Sequence, residues 1–159
     1  MNSEACNNND TKVKTRNCTE ELLDGLYKLI NTTKQSLLNI IPKVKNSELS
    51  AELTSQLNEY GCFSEKVSVA LDRCGGEARS CNVVSKMSAK IGIEMNTLAD
   101  SSDAHLAQMM IEDATMCITD TIRLVRDYEN SNCTESALSL ARSVVSFQEK
   151  TVEKLKSFL

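Results

Sequence analysis

Apolar residues of the stretch 100–130 recur at helical spacing. Ala107, Ile111, Ala114, Ile118, Ile122 and Val125 follow one another at steps of four, three, four, four and three, the period that turns one helix face to a core. Leu106, Met110, Cys117, Leu124 and Tyr128 widen the stripe, so this helix is expected at the centre of a bundle, touching neighbours on two sides. Asn17, three residues before Glu20, opens an earlier helix whose inner face is Leu22, Leu26, Ile30, Leu37 and Ile41 and which Pro42 ends. A second starts near Ser47 with Leu49, Leu53, Leu57 and Tyr60 inward. Gly61 either caps it or lies inside one long helix reaching Cys74, and the continued stripe Phe63, Val67, Ala70 and Leu71 favours the long helix. Gly75 and Gly76 break the chain, after which Cys81, Val84, Met87, Ile91, Met95 and Leu98 mark a further inner face and Asp100 begins the central helix. The last helix opens at Asn132-Cys133-Thr134-Glu135, a letter-for-letter copy of Asn17-Cys18-Thr19-Glu20, with Leu138, Ala141, Val145, Val152, Leu155 and Leu159 as its stripe.

None of these stripes has strand spacing, so the pattern predicts an all-α fold, a single disulfide-stapled bundle of five or six antiparallel helices over 17–159 behind a flexible, polar lead-in at 1–16. A length of 159 residues suits one domain. One proline and few glycines favour long helices, and the absence of Trp with only six aromatic residues requires an aliphatic core. The net charge of −4 argues against a nucleic-acid partner, which needs a basic face to displace counterions. Lys12, Lys14 and Arg16 read as a solvated tail rather than such a face. With no span of 18 or more apolar residues, no membrane partner is expected. Met1 precedes a polar stretch rather than a signal peptide, so the chain reads as a mature protein with an added initiator.

Cysteine changes the picture most. Seven cysteines without a C-x-x-C pair read as disulfide partners rather than metal ligands or a redox motif, and imply secretion. Sequons at Asn9, Asn17, Asn31 and Asn132 agree and are the glycosylation candidates. In an up-and-down stack with short turns, Cys18, Cys74, Cys81 and Cys133 gather at one end and become candidates to pair with each other. Cys62 and Cys117 both fall roughly 18 Å above that end at 1.5 Å per residue, which makes Cys62 to Cys117 the first-choice bridge. Cys6 is then the expected odd thiol, and the connectivity of the other four stays open.

Catalytic chemistry is hard to find. The single histidine, His105, sits near Asp103 without an identifiable second His or thiolate partner and reads as a partly exposed structural residue. No nucleophile elbow, zinc-binding HExxH, phosphate-binding glycine loop or EF-hand pattern occurs, so neither a catalytic residue, a metal nor a cofactor is assigned. Glu112 and Asp113 point in different directions on their helix and read as solvated. Met87, Met95, Met109, Met110 and Met116 fall on the two helices placed at the centre, where thioethers suit an irregular core or an adaptable cavity. Core filling is the favoured reading; in the alternative, Met87, Met95 and Met110 line a cavity for an apolar small molecule.

An acidic, tryptophan-free helical chain with scattered cysteines, as in NCTEELLDGLYKL, CFSEKVSVALDRCGGEARSC and NCTESALSLARSV, resembles the small helical effectors secreted in arthropod saliva. Insect odorant-binding proteins are disfavoured by spacing, since six residues separate Cys74 from Cys81 and 15 separate Cys117 from Cys133. Short-chain helical cytokines share the secretion and helix lengths but have fewer helices than expected here. The resemblance implies a secreted, non-enzymatic, immune-modulating protein that acts on an extracellular protein partner; the alternative is a carrier of a lipid-like ligand between helices.

Overall fold

The structure, a computed structural model, describes residues 17–75 and 101–159. Among these residues all regular structure is helical, in four α-helices: α1 (Cys18–Ile40), α2 (Ser47–Arg73), α3 (Asp103–Tyr128) and α4 (Glu135–Leu155). Short 3-10 turns follow α1 at Ile41–Lys43 and α4 at Lys156–Phe158. The lead-in 1–16 and the helix expected over 77–98 lie outside the described residues. Four helices are described where five or six were expected: α2 runs through Gly61, as the continued stripe favours, and the helix expected after Gly76 lies outside the described residues. Tyr60 and Phe63 on either side are both drawn into the core, and their burial outweighs the roughly 1 kcal/mol helix cost of one glycine.

Local signals explain the ends. The Asn17 side chain accepts from the Glu20 N–H at 2.8 Å, and Glu20 and Glu21 sit in the first turn, where the helix dipole favours acids. Asn46 does the same for α2, accepting from Glu48 and Leu49 at 2.8 and 3.0 Å. Gly75, at φ 74°, turns the chain out of α2 in a left-handed conformation that a side chain would strain. Two expected starts move. Ser102, not Asp100, caps α3. Asn132 caps nothing: α4 begins at Glu135 with Thr134 as its cap residue. The copy of Asn17-Cys18-Thr19-Glu20 therefore does not repeat its role, because the Thr134 N–H is held by the hydroxyl of Thr19, at 3.0 Å.

The helices form a square in which each neighbour is antiparallel. α1 lies between α2 and α3, α3 lies between α1 and α4, and α2 meets α4 to close the ring. That closure is aromatic, with Phe147 of α4 at 5.1 Å from Tyr60 and 5.6 Å from Phe63 between ring centroids. At the end where α1 finishes, the Asp103 carboxylate accepts from the backbone N–H groups of Lys45 and Asn46, at 2.8 and 2.9 Å. At the opposite end Thr19 holds Thr134, and the Tyr128 hydroxyl donates to Glu21 at 3.2 Å. Leu22, Leu23, Leu26, Ile30, Leu37 and Ile40 of α1 are wholly buried. The expected stripe of α3 is turned by part of a step: Ala107, Ala114 and Val125 are buried, but Ile111 and Ile118 are only half-buried and Ile122 is exposed. Asp113, Cys117 and Thr121 take the inner positions instead. In α4 likewise, Val144 and Gln148 are buried while Val145 and Val152 are half-buried and Leu159 is exposed.

No disulfide joins the described cysteines; Cys18, Cys62, Cys74, Cys117 and Cys133 are present as thiols. No helix among the described residues is long and apolar enough to cross a membrane.

Two glycines test this packing in opposite directions. A Cβ on Gly61 meets nothing within 4 Å, so Gly61→Ala should raise stability by about 1 kcal/mol, whereas a Cβ on Gly25 would lie 2.9 Å from Leu124 Cδ1, so Gly25→Leu should cost about 1–3 kcal/mol. Urea denaturation measures both, and a loss of stability in Gly61→Ala would contradict a continuous α2. By the same assay Asn17→Ala should cost about 1 kcal/mol and Asn132→Ala close to nothing, because only the first is a cap.

Candidate functional site

Midway along the bundle all four helices contribute polar side chains to one interior layer. Thr33 and Ser36 come from α1, Gln56 and Tyr60 from α2, Asp113, Cys117 and Thr121 from α3 and Gln148 from α4; all are buried. Ser36 donates to Asp113 Oδ1 at 3.4 Å, while Cys117 has Thr33, Gln148 and Thr121 around its sulfur. The layer is incompletely paired. Asp113 Oδ2, the Tyr60 hydroxyl, Gln56 Oε1 and both polar atoms of Gln148 lack a protein partner at hydrogen-bond geometry, and such a group costs about 1–3 kcal/mol relative to a paired one.

Burial dominates the electrostatics. It raises Asp113 from the ordinary 3.8 to about 6, with the Ser36 hydrogen bond pulling weakly the other way. It also pushes the Cys117 thiol and the Tyr60 hydroxyl upward, so both stay neutral at physiological pH. Asp113, Cys117 and Tyr60 are 1, 3 and 1% exposed, so no substrate reaches the carboxyl or the thiol from solvent. The layer can exchange a proton; it offers no open face for chemistry. The sequence reading of Asp113 as solvated is thereby corrected, and that of Glu112 is not: it is exposed and accepts from Gln108 on its own helix.

The surface carries a different feature. Cys62, Glu65, Lys66, Val69, Ala70, Arg73 and Cys74, on one face of α2, oppose Thr134, Ser136, Ala137 and Leu140 of α4 across a groove of about 800 Å³ floored by Thr19 and Leu23 of α1. Most of its lining surface is apolar, Val69 is 43% exposed, and Glu65, Lys66 and Arg73 supply charge. Lys66 also rests its ammonium 5.3 Å above the Phe63 ring. Sequence reasoning passed over this face because it looked only for the core stripe. The available signal was Val69, an apolar residue one position beyond the expected stripe with charges four residues to either side, Glu65 and Arg73.

The sequence-named residues that are described fall as follows. Cys62 is exposed on the groove and Cys117 is in the core, so the structure does not bring the first-choice pair together. Cys18 and Cys133 are neighbours: the Cys133 thiol is held up at about 11, first by burial and then by a hydrogen bond with Cys18. Cys74 lines the groove at the same end; Cys6 and Cys81 lie outside the described residues. Among the sequons, Asn17 and Asn132 are exposed, whereas Asn31 is half-buried, donating to the Tyr27 carbonyl at 2.8 Å and accepting from Ser64 of α2 at 3.4 Å; Asn9 is outside the description. Met109 and Met110 are packed into the core, Met116 is 41% exposed rather than central, and Met87 and Met95 are not described. His105 is half-buried beside Ser102, Gln108 and Leu159, its backbone N–H capped by Ser102 Oγ. Among the described residues no group of three or more His, Cys, Asp or Glu is placed to hold a metal ion.

No protein-family model, curated protein or solved structure matches the chain.

Asp113 gives a pH prediction. Because its folded value lies above the unfolded one, its protonation contributes stability that is complete below 3.8 and is lost as pH rises through about 6, a change of roughly 3 kcal/mol. Asp113→Asn should therefore be more stable than the parent at pH 7 and should lose that advantage toward pH 4. Denaturant midpoints across pH 4 to 7 check it; an equal difference between the two proteins at every pH would refute the assignment.

Proposed function

We propose that the chain is a secreted, non-enzymatic binding protein that acts on an extracellular protein through its outer helix faces, chiefly the α2–α4 groove. The observation that carries this reading is the groove itself, an open channel with a mostly apolar lining surface and Glu65, Lys66 and Arg73 in its wall. Protein interfaces of this kind take an apolar anchor at the centre and satisfy charges at the rim. The anchor expected here is an aliphatic or aromatic side chain flanked by acidic residues, which Lys66 and Arg73 would meet. A richly cysteine-bearing chain with exposed sequons at Asn17 and Asn132 supports the extracellular setting and a disulfide-stapled, glycosylated mature form.

The second reading, a carrier of an apolar small molecule between helices, rests on the methionines. Against it, Met109 and Met110 pack in the same continuous core as the leucines of α1 and α2, where thioethers fill irregular space.

Native mass spectrometry of the protein taken from its own secretion separates the two. A complex with a protein, weakened about tenfold or more by Val69→Asp in the groove, is the expected result. One bound lipid per chain, lost in Met110→Trp while the helical circular-dichroism signal persists, would replace the binding reading with the carrier.

A further inference from the structure

We infer that Cys18 and Cys133 form a disulfide that clasps the start of α1 to the turn preceding α4. The inference goes beyond the proposed function and does not depend on it, because it follows from placement alone. Three contacts set the two segments side by side. The Thr134 N–H, one residue after Cys133, donates to the hydroxyl of Thr19, one residue after Cys18, at 3.0 Å. Tyr128, at the end of α3, reaches Glu21 in the first turn of α1 at 3.2 Å. The two thiols are also near enough to influence each other electrostatically.

Both cysteines are intermediate in exposure, open to a small oxidant, and Cys133 packs against the core. The other described thiols do not pair among themselves. Cys117 is sealed in the core, and Cys62 and Cys74 lie on one helix 12 residues apart, roughly 18 Å and well outside the span of a disulfide. The pairing thus selects one connectivity from the set Cys18, Cys74, Cys81 and Cys133 and leaves Cys117 as a permanent thiol.

The oxidant is a low-molecular-weight disulfide of the glutathione class. The thiolate of one cysteine attacks its S–S bond, forming a mixed disulfide and expelling one glutathione thiolate; the second cysteine thiolate attacks the protein sulfur of that mixed disulfide and expels the other. Two protein thiols are oxidised by two electrons, one glutathione disulfide is reduced, and the two thiol protons end on two glutathione molecules. The closed loop contains α1, α2 and α3 and leaves α4 outside it, and long loops gain most from closure.

Purified full-length protein, reduced and then equilibrated with oxidised glutathione, is alkylated and digested with trypsin without reduction. The expected product is peptide 17–28 joined to peptide 127–142, each of which contains one cysteine. Thermal melting of the same samples should show the oxidised protein melting about 10 °C above the reduced one, with that difference absent in Cys18→Ser and in Cys133→Ser alike. Peptide 17–28 joined instead to a peptide carrying Cys6, Cys74 or Cys81, or both peptides alkylated at an oxidant concentration that bridges other cysteines, would overturn the inference. The peptide map uses unmutated protein, so a serine variant that fails to fold leaves it decisive. Secretion and partner binding do not enter the assay.

Discussion

Everything in this bundle depends on α1 being buried on more than one side. With six aromatic residues in the whole chain, the interior has to be assembled from leucine and isoleucine, each worth about 1.5–3 kcal/mol when fully buried. α1 supplies six wholly buried aliphatic side chains, spread over its whole length from Leu22 to Ile40, and they meet both α2 and α3. Gly25 lets α3 approach closely enough for Leu124 to occupy the space a side chain would fill. Without α1, α2 would keep only its small contact with α4, and nothing substantial would join it to α3, whose other large interface is with α4.

An aliphatic core of this kind specifies register poorly. Sliding one helix by a turn exchanges one leucine for another at modest cost. Polar groups correct this because they have only one partner position. Displacing α3 by a turn removes the Asp103 carboxylate from the Lys45 and Asn46 N–H groups and Asp113 from Ser36; displacing α4 removes Thr134 from Thr19. Two of these contacts are end clamps in partly exposed positions, cheap to keep, and the third sits in the interior, where it is costly. The middle layer therefore lowers stability at neutral pH while it narrows the set of packings available.

How much of this was legible in the sequence follows from the same division. The helical class, the start of α1 at Asn17, the start of α2 near Ser47 and the inward face of α1 could be read, because apolar spacing and capping chemistry are local signals. The faces of α3 and α4 were read a fraction of a turn off. Hydrophobic periodicity favours Ile118, Ile122, Val145 and Val152 over Thr121, Gln148 and Thr151, yet these polar residues are the buried ones. Their burial is decided by facing polar groups on other helices, which no local window contains. The cysteine geometry divides the same way. Antiparallel stacking was enough to put Cys18, Cys74 and Cys133 at one end, whereas the separation of Cys62 from Cys117 depends on the rotation of α2 and α3 about their axes, the quantity that period-counting determines least well.

The groove inherits its shape from this interior. Its floor residue Leu23 and its wall residue Ala137 are also members of the core, wholly and almost wholly buried, so the channel is the outer side of the same packing. Thr19 and Thr134 line it as well, and they are the pair that fastens α1 to α4 at that end. Any change that loosens this end therefore moves one wall of the groove against its floor, and any constraint that tightens it holds the groove in one form. A surface that recognises a protein by burying an apolar anchor loses affinity when it has to order itself on binding. The recognition proposed for the α2–α4 groove would therefore require a rigid junction beneath it, and the residues at that junction are Thr19 and Thr134, with Cys18 and Cys133 beside them.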